Sequence, residues 1–171
     1  MSGAPARPLN PLIWLGMPTL ACMAASTVFA LPVRVFGLQP PEPVWALVPA
    51  FAWAAIRPSV LPPFFLLALG LFLDILWGGP AGLWPACLLA AYAPVLTLRS
   101  ILIGQNYFVM WAWYLAACLL AFGAGFLFMT MDSGTAPSLV AVGLQLLVTV
   151  LLFPIAHWLI ERYEDADVRF R

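Results

Sequence analysis

One carboxylate stands inside an otherwise apolar stretch: Asp74, in Gly70-Leu71-Phe72-Leu73-Asp74-Ile75-Leu76. A bare charge in hydrocarbon costs about 3 kcal/mol or more, so such a residue persists only with hydrogen-bond partners or water, and it is the first candidate for a functional role. Its plainer role is to cap backbone amides of the neighbouring Gly78-Gly79 turn. Ser26, Thr27 and Gln145 fall at a similar depth when the apolar runs are laid side by side, so a small polar cluster around Asp74 is expected. The single histidine, His157, has no charged or metal-binding partner evident beside it, which points to a polar side chain satisfied at an interface over proton transfer or ligation. Asp132-Ser133-Gly134-Thr135 spells the string of aspartic proteases, and with Asp74 it would supply two carboxylates. That chemistry requires a pair sharing one proton at close range, whereas the residues around Asp132 read as a turn between helices. Cys22, Cys87 and Cys118 each sit in an apolar run with no second ligand at metal-binding spacing and read as small packing residues.

The elements that hold these residues are dictated by composition. Of 171 residues, 64% are hydrophobic and 8% charged, and the mean hydropathy is +1.01, far from the quarter or so of charged residues in a typical globular domain. Too few polar side chains exist to coat a soluble exterior, so lipid is the expected solvent. Seven acidic groups balance seven basic ones, all of the latter arginine, and no basic run is long enough to follow a phosphate backbone. No nucleic acid, cofactor or metal is expected.

Cutting the chain at its charges and Pro/Gly clusters gives six segments, at 12–31, 44–56, 60–77, 82–98, 107–131 and 137–160, each weighed against the roughly 20 apolar residues that a spanning helix needs. The second is short and holds Pro49, which points to a kinked or re-entrant path and leaves five spans as the competing count. Pro18, Pro94 and Pro154 predict bends elsewhere. Tryptophans cluster near the proposed ends, as amphipathic rings do at headgroup level. Six spans place Arg7, Arg57, Arg99, Arg162, Arg169 and Arg171 on one side and only Arg34 opposite, so both termini and the Arg57 and Arg99 loops are expected in the cytoplasm. A cleaved leader ending at Val28-Phe29-Ala30 is the alternative for the first segment, although its apolar core is long for a signal sequence. The expectation is a single polytopic membrane domain over 1–171, with short cytoplasmic tails at about 1–11 and 161–171.

Small residues four apart let helix backbones approach closely. Ala46, Ala50 and Ala54 form such a face on the second segment, and Ala21 with Ala25 and Ala117 with Ala121 repeat the pattern. The first of these faces is the candidate docking surface for a partner's helix.

Several blocks occur in a set order: Trp53-Ala54-Ala55-Ile56-Arg57-Pro58, Leu61-Pro62-Pro63, then Gly70-Leu71-Phe72-Leu73-Asp74-Ile75-Leu76 running into Gly78-Gly79-Pro80-Ala81-Gly82-Leu83. Leu98-Arg99-Ser100 and Pro154 with His157-Trp158-Leu159 follow. Taken in order and spacing, they resemble the family of the rod shape-determining protein MreD. The resemblance implies an all-α, six-transmembrane-helix bundle similar to the substrate-binding subunits of energy-coupling-factor transporters. It further implies a noncatalytic subunit of the bacterial wall-elongation complex in the inner membrane, with MreC, the actin-like MreB, RodA and a penicillin-binding transpeptidase as partners. Asp74, Gly70 and Gly79 lie in its most specific block, and with Arg57 from the preceding block they are candidate structural or partner-binding residues. Family members often carry an acid after the Arg-Pro pair, where this chain has Ser59. A vitamin-binding transport subunit is the second functional class, and it would need a polar pocket with several convergent groups.

Overall fold

The computed structural model describes residues 12–31, 41–56, 59–102 and 104–168, most of them in helices and none in a strand. A π-helical turn, Leu12–Gly16, leads into α1, Met17–Phe29. The change of helix type falls beside Pro18, whose missing N–H cannot bond back to the Trp14 carbonyl. Then follow α2, Leu47–Ile56; α3, Leu61–Trp77; α4, Leu83–Leu102; and α5, Tyr107–Ser133. The sixth segment is two helices, α6, Leu139–Val150, and α7, Phe153–Val168. The break at Leu151-Leu152 has a local cause: Pro154 cannot donate to the Val150 carbonyl. The Thr149 carbonyl is instead taken by the Leu152 N–H at 3.0 Å and by the Tyr114 hydroxyl at 3.2 Å.

Helices thus occur at all six expected positions, but unequally. Three segments, Leu83–Leu102, Tyr107–Ser133 and Leu139–Tyr163, are long and apolar enough to cross a membrane, while Ile13–Phe29, Leu47–Ile56 and Leu61–Trp77 are shorter apolar helices. Pro94 lies within α4 without ending it, and α4 continues through Arg99 and Ser100. Arg99 was expected in a loop; it belongs to the last helical turn because the helix gives way only ahead of Gly104, whose φ is +79°. Arg57, Arg34, Arg7, Arg169 and Arg171 lie outside the described residues.

The core is organised around α2. Its ten residues cover about 15 Å, half of a hydrocarbon core of about 30 Å, and eight of them are buried. Its principal neighbours are α4 and α7, and α4 packs in turn on α3 and α5. Outward faces carry large apolar side chains: Met131 is 86% exposed, Ile75 83% and Phe108 78%.

Candidate functional site: the Asp74 junction and the two ends of the bundle

Asp74 joins two helices with its backbone and its side chain. Its carbonyl ends α3, accepting the N–H groups of Gly78 and of Gly79, the latter at 3.1 Å. Gly78 takes φ +64°, the left-handed cap conformation in which a side chain would be strained. The carboxylate begins α4: Oδ2 accepts the Gly82 N–H at 2.7 Å and Oδ1 the Trp84 N–H at 2.9 Å. The first turn of α4 holds no acidic residue of its own, so Asp74 supplies from the preceding helix the negative cap that orphan N–H groups and the helix dipole favour. Each oxygen has a donor, so the carboxyl group of a residue only 5% exposed is satisfied by backbone amides. Pro80 and Gly82, with φ +95°, turn the chain so that both amides reach it.

Gly70 sits one helical turn before Asp74 and sets the distance between the two helices. A Cβ there would fall onto the backbone nitrogen of Pro85, and 2.6 Å from its Cα, so α3 and α4 touch backbone to backbone. Gly79, by contrast, has room for a side chain, with a Cβ 3.6 Å from Leu83. Beyond the junction, Trp77 and Trp84 pack edge to face with centroids 4.8 Å apart, and the Trp77 Nε1–H donates to Glu42 Oε2 at 2.9 Å. Glu42 thereby brings the start of the second segment to this end of the bundle.

From Glu42 the chain enters the bundle without a regular helix, and side chains complete its backbone. The Val44 N–H donates to Thr149 Oγ1 at 3.0 Å, and the Cys22 thiol donates to the Trp45 carbonyl at 3.4 Å. Thr149 Oγ1 in turn donates to the Gln145 carbonyl at 2.7 Å. Irregular backbone at this depth is stable only where protein covers it and meets its hydrogen bonds. The second segment therefore runs from the Glu42 end to the opposite end as a non-helical, turn-containing entry followed by α2. Pro49 does not kink it: the residue falls in the first turn of α2, where an N–H is not needed.

At the opposite end Ala55, Leu102, Gly104, Gln105, Met110, His157, Ile160 and Glu161 line a cavity of about 190 Å³. His157 Nε2 lies 3.1 Å from Glu161 Oε1, one turn further along α7. The ring packs against Phe153, nearly parallel at 5.7 Å, and against Tyr107, edge-on at 4.9 Å. His157 was expected to lack a charged partner; the i,i+4 spacing on a continuous α7 supplies Glu161.

Other expectations are corrected by burial. The Ala46, Ala50 and Ala54 face was expected to be open to a partner, yet each residue is 0% exposed. The small side chains do permit close approach, but the helices that approach belong to this chain. The polar cluster around Asp74 does not form through hydrogen bonds: its carboxylate is engaged by amides, Thr27 donates to the Met23 carbonyl, and buried Ser26 has no partner for its hydroxyl. Asp132 is exposed at the end of α5, with the neighbouring Ser133 hydroxyl donating to the Met129 carbonyl at 2.7 Å. It belongs to a helix terminus, while Asp74 is committed to α4. Arg57 lies outside the described residues. Thr149, Tyr114 and Glu42 were not singled out from sequence. Their roles depend on a backbone path through the bundle that side-chain spacing does not encode. Compared with protein-family models, curated proteins and solved structures, the chain matches none.

Proposed function

We propose that this chain is a multi-pass protein of the bacterial inner membrane, crossing with six segments and both termini cytoplasmic. In this reading it serves as a noncatalytic scaffold subunit of the wall-elongation complex, as its resemblance to the MreD family implies. The observation that carries the proposal is the Asp74 junction. The most specific block of the resemblance, Gly70 to Leu83, is occupied in holding two helices together: Gly70 by contact with Pro85, Asp74 by capping α4. A buried acid whose oxygens are both taken by amides is a construction element, and it suits a protein that works by presenting surfaces. Large apolar side chains on the outward faces and three segments of spanning length support the membrane placement. MreC is the proposed direct partner, and through it MreB, RodA and a penicillin-binding transpeptidase. Depletion from the native cell tests the role: elongated cells should become round or swollen as wall synthesis is misplaced, and unchanged shape after complete depletion would rule the role out.

A further inference from the structure

The cavity at the His157 end has an ordered chemistry from floor to rim. Leu102, Ile160 and Met110 form the floor, exposed by 3%, 4% and 7%. The rim holds Gly104, Gln105 and Glu161, all exposed, with the Glu161 side chain 64% accessible. Gln105 donates its Nε2 to the Ile101 carbonyl at 3.0 Å, which leaves its side-chain oxygen as an acceptor. His157 engages one carboxylate oxygen of Glu161, and the other has no partner among the described residues. Arg162, the adjacent cation on α7, lies over the Trp158 ring at 5.2 Å and does not line the cavity. Arg99 does not line it either.

An apolar floor beneath a rim of acceptors matches a side chain with a methylene stem and a cationic head. At about 190 Å³ the space equals roughly six waters at about 30 Å³ each, the scale of one long side chain. Ala55 in the last turn of α2 and Leu102 at the end of α4 line it, and although Gln105 takes the Leu102 and Ile101 carbonyls, the helix C-terminal dipoles favour positive charge nearby. We propose that this cavity is a socket for one arginine or lysine side chain of a protein partner, the stem over Met110 and Ile160 and the head at Glu161 and Gln105. A protein occupant rests on the scaffold reading; occupancy of the cavity by a cation does not, so the two can fail separately.

The test uses the full chain in nanodiscs with carbon-13 methyl-labelled methionine, reading the Met110 methyl resonance. Nα-acetylarginine methylamide should shift it saturably. The uncharged isostere Nα-acetylcitrulline methylamide should bind at least tenfold more weakly, and Glu161→Gln should weaken the arginine probe by a similar factor while the helical spectrum is unchanged. No shift up to the solubility of the probe, equal binding of the two probes, or an unaffected Glu161→Gln variant would each overturn the socket. Two further arms fix the source of the cation. Putrescine binding more tightly than the capped arginine would assign the site to a soluble amine, and probe binding that appears only in Arg57→Gln would assign it to the chain's own arginine; either result excludes a partner side chain.

Discussion

Asp74 shows how a charge becomes part of a fold. Its cost in an apolar helix is offset by two N–H donors that α4 would otherwise leave unsatisfied, so the same contact satisfies both elements. Replacement by leucine removes both acceptors, and stability should fall by about 2–4 kcal/mol, from about 1–3 kcal/mol for a buried donor left unpaired together with the loss of a cap. Asparagine keeps one acceptor but turns its amino group toward the other N–H, so its loss should be intermediate. Unfolding of the purified protein in detergent should rank native above Asp74→Asn above Asp74→Leu; a leucine variant as stable as the native chain would show that the cap carries no energy. The need for a partner at Asp74 was legible in the sequence, because a lone carboxylate in an apolar run has few stable solutions. The identity of the partners was only half legible. The turn glycines were visible, but the amides of Gly82 and Trp84 become donors only once Pro80 and the positive φ of Gly82 have folded the turn back.

Among the elements, α2 departs most from expectation. Its shortness was read correctly, but Pro49, expected to kink it, falls in its first turn, and the role assigned to its small residues was inverted. Alanines four apart report that something packs closely, and the spacing is the same whether the neighbour is a partner's helix or the chain's own α4 and α7. Here the neighbours are internal, with Ala50 0% exposed. Ala50→Leu is accordingly expected to overpack the bundle and cost about 1–3 kcal/mol, and any loss of a partner should follow from the weakened bundle. Thermal unfolding in detergent decides this, since an unshifted midpoint would mean that the face is not packed as described. The non-helical entry from Glu42 to Trp45 was hidden for a related reason. It is held by Thr149 and Cys22, from α6 and α1, and no local pattern near residue 44 points to a threonine more than a hundred positions away. Helix ends set by proline were more readily seen: the Pro154 break and the Pro18 transition both follow from a missing N–H.

At the scale of the molecule, two polar ends flank an apolar middle. One carries Glu42, Trp77, Trp84 and the Asp74 junction; the other carries His157, Glu161, Gln105 and the last turn of α4 with Arg99. The arginine distribution predicts that the second end faces the cytoplasm. Cysteine replacements at Gln105 and Gly79, in a chain whose own three cysteines are buried, should be labelled by impermeant reagent from opposite sides, Gly79 from outside the cell and Gln105 only after permeabilisation. Labelling of both from one side would break the six-crossing arrangement. Composition made the apolar character of the helices legible, since only 8% of residues are charged and three helical segments are long and apolar enough to cross a membrane. The shortness of the second segment was legible, but its non-helical entry before Leu47 was not, because apolar runs do not reveal where a segment abandons the helix to fit among its neighbours. If the chain acts by holding partners, as proposed, copurification from native membranes with identification of the bound proteins is the most direct measurement. The account predicts recovery of MreC together with the wall-elongation enzymes, with recovery reduced in Asp74→Leu. Recovery of transporter energising subunits, or of no elongation protein at all, would contradict it.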